Sequence, residues 1–286
     1  MSIELRNVNY FYSDNLINSY QALDNINLTI NDGDIVAIAG ETGAGKSTLA
    51  EIIAGLLTPT SGNVFVDGAN IYANKNKNEK ILAKKAKQKI GMVFQYSDRQ
   101  LFEETVEKDI AFAPKEMRFS DEIIKEKVSC AMNLMGISED MKEAVPYNLS
   151  GGEKKRVAIA GILSFSPKYL ILDEPTVGLD AFYRDEILKL ILHLNKKENT
   201  TIVLISHSME TIAEIANKII VMKGGKILKH DTVYNIFNDK KLLNEAKLKQ
   251  PKITAFLKKL KDVGLNVKTD IIKFDDGVKN IIEALR

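Results

Sequence analysis

Hydrophobic positions along the chain fall into two periodicities. From Ile3 to Leu28 apolar and polar residues alternate with a period of two, the spacing of short half-buried strands, broken by the polar turn Ser13-Asp14-Asn15. This predicts a small antiparallel sheet at the start. After the turn Asp32-Gly33-Asp34, the run Ile35-Val36-Ala37-Ile38-Ala39 is apolar throughout, which suits a strand buried on both faces. A glycine-rich loop follows, and Ser47 to Leu57 has helical spacing. Lys75 to Lys89 carries seven lysines and one acid, Glu79. It reads as a solvated helix face or loop, because no aromatic side chains are interleaved to stack bases. After the apolar run Ile90 to Phe94, Thr105 to Asn148 reads as largely helical, with Pro114 and Pro146 as breaks. From Lys168 strands and helices alternate again: a strand through Leu172, a helix from Phe182 to Asn195, a strand Thr201 to Ile205, a helix from Glu210 and a strand Lys218 to Met222. The turn Lys223-Gly224-Gly225-Lys226 then predicts a hairpin into Ile227-Leu228-Lys229. Beyond about residue 240 the composition shifts. Lys240 to Lys261 is lysine-rich around Pro251, and a short α/β-like segment runs to Arg286.

Composition adds exclusions to that pattern. With 286 residues, 45% hydrophobic and 27% charged, the chain can bury a sizeable core. A formal net charge of +2 selects neither nucleic acid nor anionic lipid as a partner. A single cysteine, Cys130, and an N-terminus without a basic segment and apolar core fit a reducing, cytosolic setting. The most apolar stretches, Ile35 to Ala39, Val157 to Leu163 and Ile187 to Leu194, fall well short of the roughly 20 residues a bilayer crossing needs. Any membrane process would rely on spanning helices from other subunits.

The first loop carries chemistry. Gly40-Glu41-Thr42-Gly43-Ala44-Gly45-Lys46-Ser47 matches G-x-x-x-x-G-K-[ST] between a buried strand and a helix that Thr48 continues. Its glycines let backbone N–H groups converge on phosphate, the helix start favours negative charge, Lys46 reaches the β- and γ-phosphates, and Ser47 is suited to Mg²⁺. Lys168 to Pro175 reads as a buried strand ending in two carboxylates. Asp173 would complete the metal environment, and Glu174 would orient or activate water. Taken alone, Asp-Glu-Pro is also an ordinary acidic turn. Leu149-Ser150-Gly151-Gly152-Glu153 leads into the helical run Lys154 to Leu163, so Ser150, Gly151 and Gly152 form a second anion-accepting helix start. A plain capped helix, with Glu153 near the capping-box position, describes the same residues. One triphosphate engages two such loops if they face one another.

Three single residues complete the set. The amide oxygen of Gln95 suits a metal or the attacking water, although a polar strand end needs no such role. His207, after the strand Thr201 to Ile205 and Ser206, is placed to contact a γ-phosphate, or is a satisfied histidine. Tyr12 could stack on adenine, with Tyr10 and Phe11 as competitors and strand packing as the plain alternative.

In this order the motifs resemble the ATP-binding-cassette ATPase family over residues 1 to about 235. The correspondence takes in an adenine-stacking tyrosine (Tyr12), Walker A (Gly40 to Ser47), Q-loop (Gln95), signature (Leu149 to Glu153), Walker B (Asp173), catalytic glutamate (Glu174), D-loop (Gly178-Leu179-Asp180) and switch histidine (His207). The resemblance implies a P-loop NTPase with an α/β RecA-like core, an N-terminal antiparallel β subdomain, an inserted helical signature subdomain and a small C-terminal extension. Residues 1–239 would form the ATP-binding domain, with the helical subdomain at about 97–163, and residues 240–286 the extension, with a role in dimerisation. ATP and Mg²⁺ are the implied cofactors, and ATP would be sandwiched head to tail between one subunit's Walker A and the other's signature.

Gly91 to Val106, Arg156 to Leu163 and Pro251-Lys252-Ile253-Thr254-Ala255-Phe256 are similar to the second ATPase subunit of energy-coupling-factor transporters, importers of vitamins and transition-metal ions. The implied partners are a second ATPase, different or identical, a transmembrane coupling subunit and a substrate-binding membrane subunit, without nucleic acid. The implied location is peripheral, at the cytoplasmic face of the cell membrane. Another cassette importer or exporter, a soluble cassette ATPase and a non-hydrolysing regulator are the competing readings. Three positions depart from the pattern: Glu153 stands where glutamine is familiar, Ser97 where proline is usual and Ala181 where proline commonly follows Asp180.

Overall fold

The computed structural model describes residues 2–13, 19–96 and 100–285. Its chain forms two compact units, Met1–Ala86 with Val203–Arg286, and Lys87–Ile202.

In the first unit, β1 (Ser2–Ser13) and β2 (Ser19–Asn31) run antiparallel, with Ile3 opposite Ile30 and Leu5 opposite Leu28. The expected short strands are two long ones. Register shifts between Leu5 and Tyr10 absorb the irregular apolar pattern, and Asn7 and Asn25 there take left-handed φ values of 51° and 50°. The Asn7 amide donates to Oδ1 of Asn25 at 3.0 Å across the bulge. Asp14 and Asn15 of the expected turn lie outside the described residues. Next, β3 (Ile35–Gly40) is buried at every position, as its unbroken apolar run requires, and leads through the glycine-rich loop into α1 (Lys46–Ile53). Then β4 (Ser61–Val66) pairs with β1, and β5 (Ala69–Asn70) with β4, giving the antiparallel order β2-β1-β4-β5. The lysine-rich segment is the helix α2 (Lys77–Lys87), which buries Ala83 and Ala86, leaves Lys77, Lys80, Lys84 and Lys85 to solvent and half-buries Lys87.

The second unit opens with β6 (Ile90–Val93) and continues through α3 (Val106–Glu116), α4 (Asp121–Leu134), two single 3₁₀ turns and α5 (Gly151–Leu163) to β7 (Tyr169–Asp173) and α6 (Ala181–Glu198). Strands β6 and β7 are parallel, Val93 opposite Leu172. The start of β8 (Thr201–Ile205) lies on the other side of β7's entry, where Thr201 N donates to Lys168 O at 3.0 Å. Pro114 does not break the helix, contrary to expectation. It sits buried in the last turn of α3, where the missing N–H costs one bond and the helix stops at Glu116. Pro146 does interrupt, opening a 3₁₀ turn as its first residue.

Returning to the first unit, the chain adds α7 (Met209–Ile215), β9 (Lys218–Lys223), β10 (Lys226–Thr232), α8 (Val233–Asn238), α9 (Lys240–Glu245), α10 (Lys252–Asp262) and α11 (Phe274–Ala284). Within this unit the strand order is β10-β9-β3-β8. The expected hairpin joins β9 to β10, with Gly224 and Gly225 at positive φ and Lys223 opposite Lys226. One face of β3 and β9, through Ala37, Ala39, Ile219 and Val221, packs with Ile212, Ile236 and Phe237, and Leu242, Leu243 and Ala246 join the same cluster.

The α/β-like segment expected at the end is instead helical, with no strand after Thr232 among the described residues. Ile253, Leu257 and Leu260 recur at helical spacing on α10. Leu265, Val267 and Ile271, between α10 and α11, pack as loop residues against that face. Gly277 explains how α11 approaches α10: a Cβ there would stand 2.2 Å from Cγ1 of Ile253. Gly277→Ala gains helix propensity but forces this contact apart, so a net loss of about 1–3 kcal/mol is expected. Faster proteolysis between Pro251 and Leu285, with a lowered Tm, is the measurable outcome.

Candidate functional site

The sequence-derived site residues divide into two groups, one in each unit. In the first unit, Gly40 ends β3 opposite Met222 of β9. A Cβ at Gly40 would stand 2.3 Å from the Met222 carbonyl oxygen, so the strands can close up at this point and start the loop only with glycine there. The loop closes on itself through Ala44 N to Glu41 O (3.1 Å), and the β9–β10 turn supports it through Gly225 N to Ala44 O (3.2 Å). Lys46 is buried, and its ammonium donates to the carbonyls of Gly40 (3.0 Å) and Glu41 (2.9 Å), which places the charge over the loop mouth. Thr48 is buried, Thr42, Gly43 and Ser47 are exposed, and Gly43 has open space where a side chain would stand.

No side chain caps the start of α1, whereas Thr105, Ser150 and Asp180 cap α3, α5 and α6. An uncapped first turn beneath a buried ammonium fits a phosphate. Tyr12 is exposed, with its hydroxyl 3.1 Å from Thr48 Oγ1, and Tyr10 meets its ring edge to face at 4.8 Å. His207 is exposed immediately after buried Ser206. Ser208 starts α7, its hydroxyl accepting from Thr211 N at 3.1 Å.

The second unit holds the carboxylates and the signature. Asp173 ends β7 and Glu174 follows, 6% and 4% exposed, so both sit inside the protein and not in a surface turn. Glu174 has a left-handed φ of 50°, an uncommon conformation for a side chain of this size. The segment is held from α5: the buried ammonium of Lys155 donates to the carbonyls of Glu174 (3.2 Å) and Val177 (2.9 Å).

At the start of the same helix the capping box is complete. Glu153 N donates to Ser150 Oγ at 3.4 Å, and Glu153 Oε2 accepts from Ser150 N at 2.8 Å and from its hydroxyl at 2.7 Å. The Ser150 hydroxyl first, then its N–H, with the charge of Arg156 adding, hold the Glu153 carboxyl below its ordinary range. Asp180 caps α6 by accepting from Tyr183 N at 3.0 Å, which makes Ala181 the first helical residue, a position alanine fills as readily as the familiar proline. Ser150, Glu153, Arg156, Gly178, Asp180 and Tyr183 surround a cavity of about 250 Å³, which brings the signature and the D-loop together.

Gln95 is exposed just beyond β6. Ser97, Asp98 and Arg99 of the Q-loop region lie outside the described residues. After that gap, Asp109 of α3 accepts from the backbone N–H of Phe102 (3.0 Å) and Glu103 (2.9 Å), while its burial pushes the carboxyl up against those bonds. Sequence reasoning missed Lys155, the middle one of the three consecutive basic residues Lys154, Lys155 and Arg156. It also missed Tyr20, opposite Tyr12, whose hydroxyl donates to the Gly43 carbonyl at 3.1 Å. A second aromatic at cross-strand spacing from Tyr12 was the available signal.

A family model described as ABC transporter matches residues 23–177, and the chain belongs to that family. Its mixed α/β fold is that of ABC cassettes, and like them it binds ATP. A dimeric ATP-binding cassette in a post-hydrolysis state, bound to ADP and Pi, matches with a TM-score of 0.72 at 29% identity, over 81% of this chain and 98% of that one. The structure of cbiO1 from Clostridium perfringens, part of the ABC transporter complex cbiONQ, matches with a TM-score of 0.71 at 35% identity, over 90% of this chain and 98% of that one. The energy-coupling factor transporter ATP-binding protein EcfA2 of Clostridium perfringens is 42% identical, over 100% of this chain and 99% of its own length. Within the ABC family the chain is thus an ATPase of the energy-coupling-factor kind, with hydrolysis coupled to transport.

Lys155→Met keeps much of the stem's packing but removes two charge-assisted bonds, each worth about 1.5–3 kcal/mol. The Glu174–Val177 segment is then expected to lose its fixed position. Turnover should fall about tenfold or more, since 1.4 kcal/mol of barrier is a factor of ten, with a smaller change in ATP affinity. Single-turnover hydrolysis set beside equilibrium ATP binding separates the two effects.

Proposed function

We propose that this chain powers the uptake of vitamins or transition-metal ions from the cytoplasmic face of the cell membrane, as a peripheral subunit. Among the described residues no helix is long and apolar enough to cross a bilayer, so a transmembrane coupling subunit and a substrate-binding membrane subunit complete the machine. The described residues between Gln95 and Phe102 that are exposed, Gln95, Tyr96 and Phe102, pass motion to the membrane partner. Phe102, packed edge to face on Phe112 and fixed from beneath by Asp109, supports this assignment. The observation that carries the mechanism is the pair of unlike helix starts: α1, uncapped beneath Lys46, and α5, capped through Ser150 and Glu153. Each suits one side of a triphosphate, and a head-to-tail pair of cassettes, with a second ATPase of either kind, lets both act on one nucleotide.

In this reading Gly40, Glu41, Thr42, Gly43, Ala44, Gly45 and Thr48 form the phosphate loop, Lys46 stabilises charge on the β- and γ-phosphates, and Tyr12 stacks on adenine. Ser150, Gly151 and Gly152 present the facing anion site. Mg²⁺, when bound, neutralises phosphate charge, and Ser47, Gln95 and Asp173 offer the hard oxygen donors it prefers. Glu174 takes up the proton of the attacking water, and His207 orients toward the γ-phosphate. The protein's part is therefore positioning and charge stabilisation.

Glu174→Gln is expected to bind ATP and lose turnover; near-normal hydrolysis by that variant would remove the assignment. Glu153→Gln keeps an acceptor for Ser150 N while removing a negative charge from the signature helix start, so tighter ATP-dependent dimerisation is expected. Glu153→Ala instead loses the Glu153 half of the capping box while the Ser150 hydroxyl still accepts from the N–H of residue 153, so a loss of less than about 1 kcal/mol of stability is expected. The depressed carboxyl means that this contribution is present above the ordinary carboxylate range and fades as pH falls through the folded value. Solubilised membranes should yield the chain with a polytopic protein, whereas recovery only with ribosomes or DNA would overturn the transport role.

A further inference from the structure

The C-terminal extension reaches the phosphate loop through one side chain that neither the motifs nor the proposed mechanism uses. Lys247 Nζ lies 2.8 Å from Oε1 of Glu41, the loop's second residue. Both backbones are fixed. Glu41 follows Gly40, which is locked against Met222, and its carbonyl accepts from Lys46. Lys247 sits in a tight turn after α9, at a left-handed φ of 50°, with Lys247 N donating to Asn244 O and Leu248 N to Leu243 O. Ala246 is fully buried beside it, Leu248 packs against the same core, and Lys223 at the end of β9 donates to Glu245 O at 2.9 Å. The same strand end thus anchors the tail turn and, through the β9–β10 turn, the phosphate loop.

Charge gives this contact a consequence. Glu41 brings a carboxylate to the mouth of a loop meant for a polyanion, where a like charge opposes binding. We propose that Lys247 is a nucleotide-affinity determinant: it neutralises Glu41, so the C-terminal extension sets how tightly the phosphate loop holds a nucleoside triphosphate. The inference rests on the placement of ATP at this loop. The lysine side chain is 70% exposed and the glutamate 36%, so the effect is modest and screened by salt.

Calorimetric titration of the full-length chain with ATP tests this. At low ionic strength Lys247→Ala is expected to weaken binding about two- to fivefold, the range of an exposed ion pair. Lys247→Glu should weaken it further, and Lys247→Arg should restore it. The Lys247→Ala loss should shrink toward nothing in high salt. In a Glu41→Gln background, where no carboxylate is left to neutralise, Lys247→Ala should cost nothing more. Wild-type affinity of Lys247→Ala at low salt overturns the proposal. So does an equal loss in the Glu41→Gln background or in high salt, since Lys247 would then act other than by neutralising Glu41. Lys46→Ala separates this failure from that of the underlying reading: if that variant binds ATP as the wild type does, the nucleotide is not on this loop and both fall.

Discussion

The closure of β3 on β9 at Gly40 and Met222 is the constraint on which the phosphate-loop half of the site depends. Parallel strands leave their connections at one end, and there the backbones meet so closely that no side chain fits at Gly40. That closure fixes where the loop begins. The β9–β10 turn then supports Ala44, the loop carbonyls gather the Lys46 ammonium, and α1 starts without a cap. Each step follows from the one before. A buried ammonium is costly unless paired, and carbonyls of the loop itself pair it without cancelling its charge, so it stays available to an anion.

The second unit solves a related problem with the opposite charge. Asp173 and Glu174 end a strand of five buried residues, so two carboxylates lie where water is scarce. Lys155, rising from the signature helix, donates to backbone carbonyls on both sides of Pro175 and Thr176. The helix whose first turn carries Ser150 therefore also steadies the segment carrying Glu174. A shift of α5 at its signature end would be felt at the carboxylate through a rigid helix and two hydrogen bonds, within one unit.

Much of this was legible in the sequence because it depends on local pattern. Unbroken apolar runs gave β3, β7 and β8, paired glycines gave the β9–β10 hairpin, and the spacing of glycine, lysine and serine gave the loop that joins β3 to α1. The buried strand ending in two carboxylates gave Asp173 and Glu174 as candidates and the strand before Ser206 gave His207, and the family resemblance supplied the roles expected of them. What escaped depends on partners distant in sequence. Nothing local distinguishes Lys155 from its neighbour Lys154, or Lys247 from the other lysines of the tail; only the fold brings each to its acceptor. Pro114 was read as a break because proline usually is one, but in the last turn of a helix it costs a single bond and leaves the turns before it intact. The tail was read as a short α/β-like segment, whereas Leu265, Val267 and Ile271 lie outside helices and pack with the apolar face of α10.

The contrast between α1 and α5 bears on why the chain carries glutamate at position 153. A helix start that meets its ligand within its own chain can be left uncapped, because the loop and Lys46 hold it in place. In the proposed head-to-tail pair, α5 would meet its ligand only when a second cassette arrives, and the reciprocal bonds between Ser150 and Glu153 hold its start without one. On that proposal the cost is that the Ser150 hydroxyl is already engaged by a carboxylate, which an incoming phosphate would have to displace. Glutamate there would then trade some strength of the proposed closed pair for a helix start that keeps its form when the pair is open. Such a balance suits an ATPase that has to separate after each hydrolysis as well as close before it.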